Sequence, residues 1–335
     1  MISSASPEAQ VPDAVRRLAG VLAGRAPDSV TALAGGNNNR VYRVACPDVS
    51  YALKRYPLRP DDPRERLAVE FETLRFLETQ GVATVPRAIA ADHDNGLGLY
   101  SWEAGEAITA PGATEVSAAL DLVAKLHALG PSAEILPPAS EACLSGRSIT
   151  DQTGGRLRQL LEIAGPRDFL EDAFAPAFES ATARARDGYA NAGWDFEAEI
   201  ELRQRTLSPS DFGFHNALRR ADGSLVFLDF EYFGWDDPSK LACDFLLHPG
   251  MKLDEAARRR FAAGVRAIFA GDADFARRCA VLYPLFGMRW CMILLNEYLP
   301  DRRTGRAFAR GRQLEKARGL LDRLHRLDEG FPDGP

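Results

Sequence analysis

The sequence predicts a segregated α+β fold, in which antiparallel strands come first and helices form most of the remainder. Three observations support this class. Short strand patterns are concentrated in residues 1–103, helical patterns dominate residues 104–335, and an Asp-Gly turn between two apolar runs marks a hairpin near Gly223. A chain of 335 residues is long enough for two lobes, and we place their boundary between residues 103 and 104.

The N-terminal lobe begins with a helical pattern over residues 13–23, which Gly24 can end. We expect three short antiparallel strands next. The first ends near Leu33, and the other two span residues 40–45 and 51–56.

The turn after the first strand is unusual because it consists of glycine and asparagine alone: Gly35, Gly36, Asn37, Asn38 and Asn39. These residues tolerate positive φ angles and leave backbone N–H groups free. Such a loop can lie over phosphate groups; a plain flexible turn is the alternative interpretation.

An ion pair is predicted between the third strand and the helix that follows it. Residues 63–80 show a helical pattern, and Glu70 falls within its apolar stripe. A half-buried carboxylate is unfavourable without a cation, and Lys54 on the third strand can supply one. Two unrelated surface charges are the alternative.

Two further strands, with a turn at residues 94–96, complete the predicted sheet. The segment Ser101, Trp102 and Glu103 then leads into a chain that is mostly helical. Residues 131–147 have the composition of a surface loop. Helical patterns cover residues 114–129, 153–164, 168–191, 195–205, 239–247, 253–270, 272–282, 283–299 and 304–327.

Composition excludes several classes of function. A net charge of -6 argues against a large nucleic-acid interface. Five scattered cysteines without a CxxC motif indicate neither a disulfide framework nor a zinc site. The N-terminal residues lack the features of a signal peptide, and no apolar run approaches the roughly 20 residues that span a bilayer. We therefore expect a cytoplasmic protein without nucleic-acid or membrane partners, and its oligomeric state stays open.

The segment 207–237 carries the most informative pattern. Asp211 precedes Asn216 by five positions, and a hairpin of residues 217–219 and 225–228 returns the chain to Asp229. This hairpin should bring Asp229 beside the loop that holds Asp211 and Asn216. Two carboxylates and an amide oxygen suit Mg²⁺, which prefers oxygen ligands and usually also binds substrate phosphates. Each residue taken alone has another interpretation: Asp211 caps a turn, Asn216 is an ordinary loop residue and Asp229 only ends a strand.

The order Asp211, Asn216, hairpin, Asp229 resembles the catalytic and metal-binding loops of protein-kinase-like enzymes. With Asp237 and Asp244 after it, the pattern is similar to the aminoglycoside phosphotransferase and choline kinase family, which phosphorylates small molecules. The resemblance implies a bilobal protein-kinase-like fold, with an antiparallel β-sheet and one main helix in the N-terminal lobe and a mostly helical C-terminal lobe. It also implies ATP and Mg²⁺ as cofactors.

The resemblance assigns a role to each matched position. Asp211 would accept the proton of the acceptor hydroxyl, and Asn216 and Asp229 would hold Mg²⁺. Lys54, oriented by Glu70, would contact the α- and β-phosphates. The glycine and asparagine turn would lie over the phosphates, and the backbone of the segment 101–103 would bind the adenine.

Two positions depart from the family pattern. The family usually has a histidine two residues before the catalytic aspartate, where this chain has Pro209. The glycine that follows Asp-Phe in protein kinases is Glu231 here, which adds a metal ligand or faces the substrate. We expect Phe212 or Phe214 to brace the loop in place of the histidine, and Asp244 to accept hydrogen bonds from its backbone.

The leading hypothesis is an ATP-dependent phosphotransferase that acts on a hydroxyl of a small molecule such as a sugar, an amino alcohol or an aminoglycoside-like compound. The alternative is a catalytically weak, nucleotide-binding regulatory pseudokinase. Pro209 and the unusual asparagine turn favour the alternative. Five retained positions argue against it: Lys54, Glu70, Asp211, Asn216 and Asp229.

Overall fold

The computed structural model describes residues 11–33, 39–58, 65–133, 135–163, 165–299, 307–326 and 331–332. The chain divides into two compact units. The first unit comprises residues 1–108 and 216–233, and the second comprises residues 109–215 and 234–335. The predicted α+β class is confirmed, because the first unit holds an antiparallel sheet and the second is mainly helical.

In the first unit, five antiparallel strands among the described residues form one sheet in the order β1-β2-β3-β5-β4. The bounds of its elements follow the sequence patterns closely. They are α1 (Asp13–Ala23), β1 (Ser29–Ala32), β2 (Arg40–Ala45), β3 (Ser50–Arg55), α2 (Arg66–Thr79), β4 (Ala88–Asp92) and β5 (Leu97–Ser101).

Helix α1 covers one face of this sheet. It ends at Gly24, whose φ of 64° is the left-handed conformation that glycine adopts without strain. Val15 and Ala19 on α1 are buried in one apolar cluster with Val44 and Leu53 of the sheet. This packing supports β3, the strand that carries Lys54.

The predicted hairpin is present in the first unit. Ala217–Arg219 pairs antiparallel with Leu225–Phe227, and Ala217 lies opposite Phe227. Gly223 in the turn has a φ of 85°, which explains the Asp-Gly signal in the sequence. The residues Glu106–Ala107 add a third short strand beside Ala217–Arg219.

The second unit is built around helix α8, which packs against α4, α5, α6 and α9. The bounds of its helices are α3 (Ala113–Ala128), α4 (Gly146–Leu161), α5 (Ala175–Ala192), α6 (Pro238–Leu247), α7 (Glu255–Ile268), α8 (Phe275–Leu294) and α9 (Ala307–Arg326). All of α6 is buried, so the chain that follows the hairpin belongs to the core of this unit.

Three helical predictions in this unit were wrong. Residues 195–205 contain only the 3₁₀ turn Leu202–Gln204, because the backbone N–H of Ile200 bonds the carbonyl of Leu144 rather than a helical partner. Helix α4 begins inside the predicted loop, where Ser145 caps it by accepting from the N–H of Ser148. The two helices predicted at 272–282 and 283–299 form the single helix α8, which continues through Pro284.

Helix α8 and the turn after it, Phe275–Tyr298, are long and apolar enough to cross a membrane by composition, with a mean hydropathy of 1.4. The sequence analysis overlooked this window because Arg289 interrupts its apolar run. The most apolar part of the segment is 72% buried inside the protein, as a core helix is.

Candidate active site

The first unit contains a cluster of charged side chains around Lys54. Strand β3 places this lysine in the protein interior, where it is only 8% exposed. Its Nζ lies 2.6 Å from Oε2 of Glu70 on α2 and 3.5 Å from Oε2 of Glu231, and it donates a short hydrogen bond to the carboxylate of Asp229. The ion pair of Lys54 and Glu70 that the sequence predicts is therefore present, and two further carboxylates join it.

Electrostatic interactions keep the lysine charged. Burial lowers the pKa of Lys54, but the carboxylates of Glu70, Asp229 and Glu231 together raise its pKa well above the ordinary value. Burial raises the pKa of Glu70, and Lys54 opposes this effect. The hydroxyl of Tyr56 donates a 2.6 Å hydrogen bond to Oε2 of Glu70, which further fixes that carboxylate.

The charge of this cluster favours a bound cation. Two basic side chains, Lys54 and Arg66, face three carboxylates, since Arg66 lies 3.4 Å from Glu231. Glu70, Asp229 and Glu231 can each direct one carboxylate oxygen to within 4.8 Å of the others. Because Mg²⁺ prefers oxygen ligands and negative charge, this set of donors fits the ion that the sequence analysis expects.

Asp229 and Asn216 lie at the open end of the hairpin. The backbone N–H of Leu228 donates to the carbonyl of Asn216 at 2.8 Å, so the residues before and after the two strands are neighbours. Asp229 has a φ of 69°, and the next N–H, that of Phe230, bonds Oε1 of Glu70 at 3.3 Å. Helix α2 thus helps to hold the left-handed backbone that presents the Asp229 carboxylate.

Only the last residue of the glycine and asparagine turn can be placed. Gly35, Gly36, Asn37 and Asn38 lie outside the described residues. The Nδ2 of Asn39 donates to Oε2 of Glu231, while its Oδ1 is buried without a hydrogen-bond partner among the described residues. Sequence reasoning placed Asn39 near phosphates and did not foresee its bond to Glu231.

The segment expected to bind adenine is fixed by its own side chains. The hydroxyl of Ser101 accepts from the N–H of Arg87 at 2.9 Å and donates to Oε1 of Glu103 at 2.7 Å. Arg220 donates to the other oxygen of Glu103, and the guanidinium of Arg43 lies 5.0 Å from the centre of the Trp102 ring.

Asp211 lies in the second unit, at the end of a tightly held loop. Ser210 has a φ of 66°, and its N–H bonds the hydroxyl of Ser208 at 3.0 Å. The hydroxyl of Ser210 accepts from Nζ of Lys240 at 3.0 Å. Lys240 is fully buried and also donates to Oδ2 of Asp236 at 2.7 Å. The sequence analysis missed Lys240, because a lysine on a helix gives no signal of its distant partners.

Aromatic packing supports the same loop. Phe212 and Phe214 each lie with ring centres 5.4 Å from the ring of Phe245 on α6, so both side chains predicted to brace the loop pack against the core. The prediction for Asp244 was wrong. Its carboxylate accepts from Nε1 of Trp290 at 2.8 Å and from Arg289 at 3.4 Å, which ties α6 to α8 rather than to the loop backbone.

Two histidines that the sequence analysis did not assign to the site face Asp211. Nε2 of His215 lies 2.9 Å from Oδ1 of Asp211, and Nε2 of His248 lies 3.7 Å from the same oxygen. The sequence signal for His215 is its position four residues after Asp211. His248 follows α6 and has no such signal.

Comparison with known proteins places these observations in a family. A sequence model of the phosphotransferase enzyme family matches residues 29–281. None of the curated protein sequences matches this chain significantly.

Three solved structures illustrate the similarity of fold. The gentamicin–APH(2")-IIa complex has a TM-score of 0.63 and 16% identity over 93% of this chain and 96% of that chain. The choline kinase LicA from Streptococcus pneumoniae has a TM-score of 0.61 and 14% identity over 93% of this chain and 100% of that chain. The spectinomycin phosphotransferase APH(9)-Ia, in complex with ADP and spectinomycin, has a TM-score of 0.61 and 11% identity over 96% of this chain and 100% of that chain.

The family match covers well over half of the chain and includes Lys54, Glu70, Asp211, Asn216 and Asp229. The solved structures share the antiparallel sheet and helical remainder that the sequence predicts, at identities too low to show more than the fold. The chain therefore belongs to the phosphotransferase enzyme family and has the protein-kinase-like fold of aminoglycoside phosphotransferases and choline kinases.

Proposed function

We propose that this protein transfers the γ-phosphate of ATP to a hydroxyl group of a small molecule. The observation that carries the proposal is the contact of one buried lysine, Lys54, with both Glu70 and Asp229. A catalytic phosphate site needs a fixed cation and a carboxylate that can share in metal binding, and this contact supplies both in a chain of the phosphotransferase family.

In the first unit, Lys54 would bind the α- and β-phosphates, and Glu70 would hold its ammonium in place. Asn216 and Asp229 would hold Mg²⁺, and Glu231 would add negative charge to the same set of donors. Bound Mg²⁺ would neutralise charge that develops on the phosphate oxygens.

The remaining nucleotide contacts follow the resemblance. Residues 35–39 would cover the phosphates, and the backbone of residues 101–103 would bind the adenine. The hydrogen bonds of Ser101 and Glu103 support this assignment, because they hold the segment in one conformation.

In the second unit, Asp211 would accept the proton of the acceptor hydroxyl as it attacks the γ-phosphate. Its side chain is 36% exposed, so a small molecule can approach it. The loop around it is held by Lys240, Phe212 and Phe214, which supports a fixed base despite Pro209.

For the acceptor we propose a sugar, an amino alcohol or an aminoglycoside-like compound. Structures of similar fold include a choline kinase and complexes with gentamicin and spectinomycin, which motivates these classes. We also propose a cytoplasmic location and lobes of residues 1–103 and 104–335.

Thermal unfolding with ATP, with Mg²⁺ and with both together tests nucleotide binding. We expect stabilisation only when both are present, by about 2.7 kcal/mol at a ligand concentration 100 times the Kd. Lys54→Met should abolish the part of the stabilisation that requires ATP, and Lys125→Met, at an exposed position on α3, should leave the whole effect unchanged. Absence of stabilisation in the unmodified protein would contradict the proposal.

Release of ADP across a panel of hydroxylated metabolites and aminoglycosides then tests catalysis. We expect at least one acceptor to raise ADP release well above hydrolysis by water. Stabilisation by ATP and Mg²⁺ with no response to any acceptor would instead favour the regulatory pseudokinase.

A further inference from the structure

His215 and His248 form a stacked pair beside Asp211, within the second unit. Their ring centres are 3.8 Å apart and their planes differ by 5°. Both rings direct Nε2 toward the same carboxylate oxygen, Oδ1 of Asp211, at 2.9 Å from His215 and 3.7 Å from His248. We call these two residues the histidine pair.

The ring of His248 is held from its other sides as well. The backbone N–H of Gly250 donates to Nδ1 at 3.0 Å, and the ring packs edge to face on Trp290 at 4.5 Å between centres. Its side chain is 15% exposed. Burial and the neighbouring His215 lower the pKa of His248 to about 3, an effect that Asp211 opposes, so the ring is neutral at neutral pH.

The bond from Gly250 decides which nitrogen of His248 carries the proton. Because Nδ1 accepts a hydrogen bond, the single proton of the neutral ring lies on Nε2. The protonated Nε2 lies 3.7 Å from Oδ1 of Asp211, which is too long for a hydrogen bond, so His248 acts on the carboxylate through the dipole of its N–H and through its stacking on His215.

The same bond argues against a metal ion at this position. Asp211, His215 and His248 are close enough to share an ion. Binding through Nε2 of His248 would move the ring proton to Nδ1, where it would face the N–H of Gly250. A neutral ring with its proton on Nε2, near the carboxylate, is therefore the state that its surroundings favour.

We propose that the histidine pair positions the carboxylate of Asp211 and replaces the support that the family's loop histidine gives where this chain has Pro209. This inference rests on the proposed function, in which Asp211 is the base. The N–H of His215 fixes the carboxylate through its 2.9 Å contact, and the stacked ring of His248 holds His215 in place and brings a second N–H near the same oxygen. His215 and His248 are thus positioning residues, since they act through Asp211.

His248 gives the cleaner test, because His215 adjoins Asn216. His248→Ala removes the stacked ring and its N–H, whereas His248→Gln keeps a planar group with an N–H near the same oxygen. We expect His248→Ala to lower kcat for ADP release roughly 10- to 100-fold, with the KM for ATP changed less than about threefold. His248→Gln should recover most of the loss, and His93→Ala, at an exposed position in the first unit, should behave as the unmodified protein.

The acceptor in this assay is the one that responds in the panel, or water if none does. In the Asp211→Asn background, His248→Ala should cause no further loss, because both changes affect one unit. An unchanged kcat in His248→Ala would overturn the proposal. Equal losses of kcat in His248→Ala and His248→Gln, with the thermal stability of both variants unchanged, would also overturn the proposal.

A second measurement does not depend on catalysis. Long-range ¹H–¹⁵N NMR spectra of the imidazole rings, assigned with the His248 variants, should show His248 at pH 7 with its proton on Nε2, and Asp211→Ala should shift that signal. A proton on Nδ1, or no response to Asp211→Ala, would overturn the proposal even if the protein transfers phosphate. If ATP and Mg²⁺ give no stabilisation, the proposed function fails, and these spectra still decide whether the pair contacts Asp211.

Titration with Zn²⁺ tests whether the histidine pair binds a metal ion instead of positioning Asp211. We expect micromolar Zn²⁺ to leave the Nε2 proton of His248 in place. Loss of that proton, together with inhibition that His248→Gln removes, would show a metal site and overturn the positioning role.

Discussion

The surroundings of Lys54 and of Asp211 differ in the charges that they contain. Lys54 is a buried cation among three carboxylates, and the cluster keeps an excess of negative charge. Asp211 is a single partly exposed carboxylate that faces two imidazole rings. Ion pairs between opposite charges organise the first region, and imidazole rings beside a carboxylate organise the second.

This difference fits the roles proposed for the two regions. An excess of carboxylates around Lys54 favours the binding of a metal ion together with a nucleotide. A base, in contrast, must be able to accept a proton, and the N–H groups of imidazole rings can orient its carboxylate. The two regions should therefore respond differently to substitution.

Asp211→Asn should give the largest change in rate. The amide keeps the shape of the side chain but cannot accept the proton, so we expect kcat to fall on the order of 10³-fold. ATP and Mg²⁺ should still stabilise the variant against heat. Asp121→Asn, at an exposed position on α3, is the matched control. A loss of less than about tenfold would show that another group is the base.

Lys54→Met should give the largest change in stability. Removal of one partner from a buried ion pair typically costs about 3–5 kcal/mol, because the remaining charge has no counterpart. Burial raises the pKa of Glu70, and the variant lacks the Lys54 cation that opposes this rise, so the loss of stability should become smaller as the pH falls. Urea unfolding at several pH values measures this.

The stabilisation of Lys54→Met by Mg²⁺ gives a second test, which concerns the excess of negative charge around Lys54. If the three carboxylates need a cation, Mg²⁺ without nucleotide should stabilise Lys54→Met more than the unmodified protein. Equal responses to Mg²⁺ would contradict the view that the cluster has an excess of negative charge.

The two regions also differ in how far the sequence predicts them. Local patterns identify the hairpin and Asp229, because turn chemistry and strand alternation are properties of neighbouring residues. Glu70 is recognisable because a carboxylate in an apolar stripe requires a cation, and Lys54 is close by on the strand that precedes the helix.

The support of Asp211 depends on contacts between distant segments, and sequence reasoning fails there. Asp244 was expected to accept hydrogen bonds from the loop, but its donors, Trp290 and Arg289, lie on another helix. The roles of Lys240 and His248 could not be foreseen for the same reason. A helix was predicted at 195–205 because nothing in its residues reveals that Ile200 bonds Leu144.

His248 should make stability depend on pH. Its pKa is about 3 in the folded protein and near 6.5 when exposed, so between these values the unfolded chain binds more protons. This contribution to stability is full above pH 6.5 and is lost as the pH falls toward 3. Between pH 4 and 6, the free energy of unfolding should rise with pH more steeply in the unmodified protein than in His248→Gln, by up to about 1.4 kcal/mol per pH unit.

Identical slopes for the two proteins would mean that the ring of His248 is as accessible to protons in the folded state as in the unfolded chain. His248→Gln also changes the surroundings of His215 and Asp211, so the difference in slope reports the titration of His248 together with its effect on these two neighbours. The test therefore separates a buried neutral ring from an ordinary surface histidine.

Glu231→Gln should have the smallest effect. The substitution removes one negative charge from the Lys54 cluster but keeps an oxygen that can accept from Asn39. Because Arg66 and Lys54 already offset part of that charge, we expect the Mg²⁺ concentration for half-maximal activity to rise only about three- to tenfold at saturating ATP. Asp229→Asn, at the more exposed carboxylate, should raise it further, and Glu72→Gln on the outer face of α2 should not change it. A larger rise in this Mg²⁺ concentration for Glu231→Gln than for Asp229→Asn would contradict the assignment of Asp229 as the main metal ligand. The fully buried carboxylate of Glu231 would then be the principal ligand.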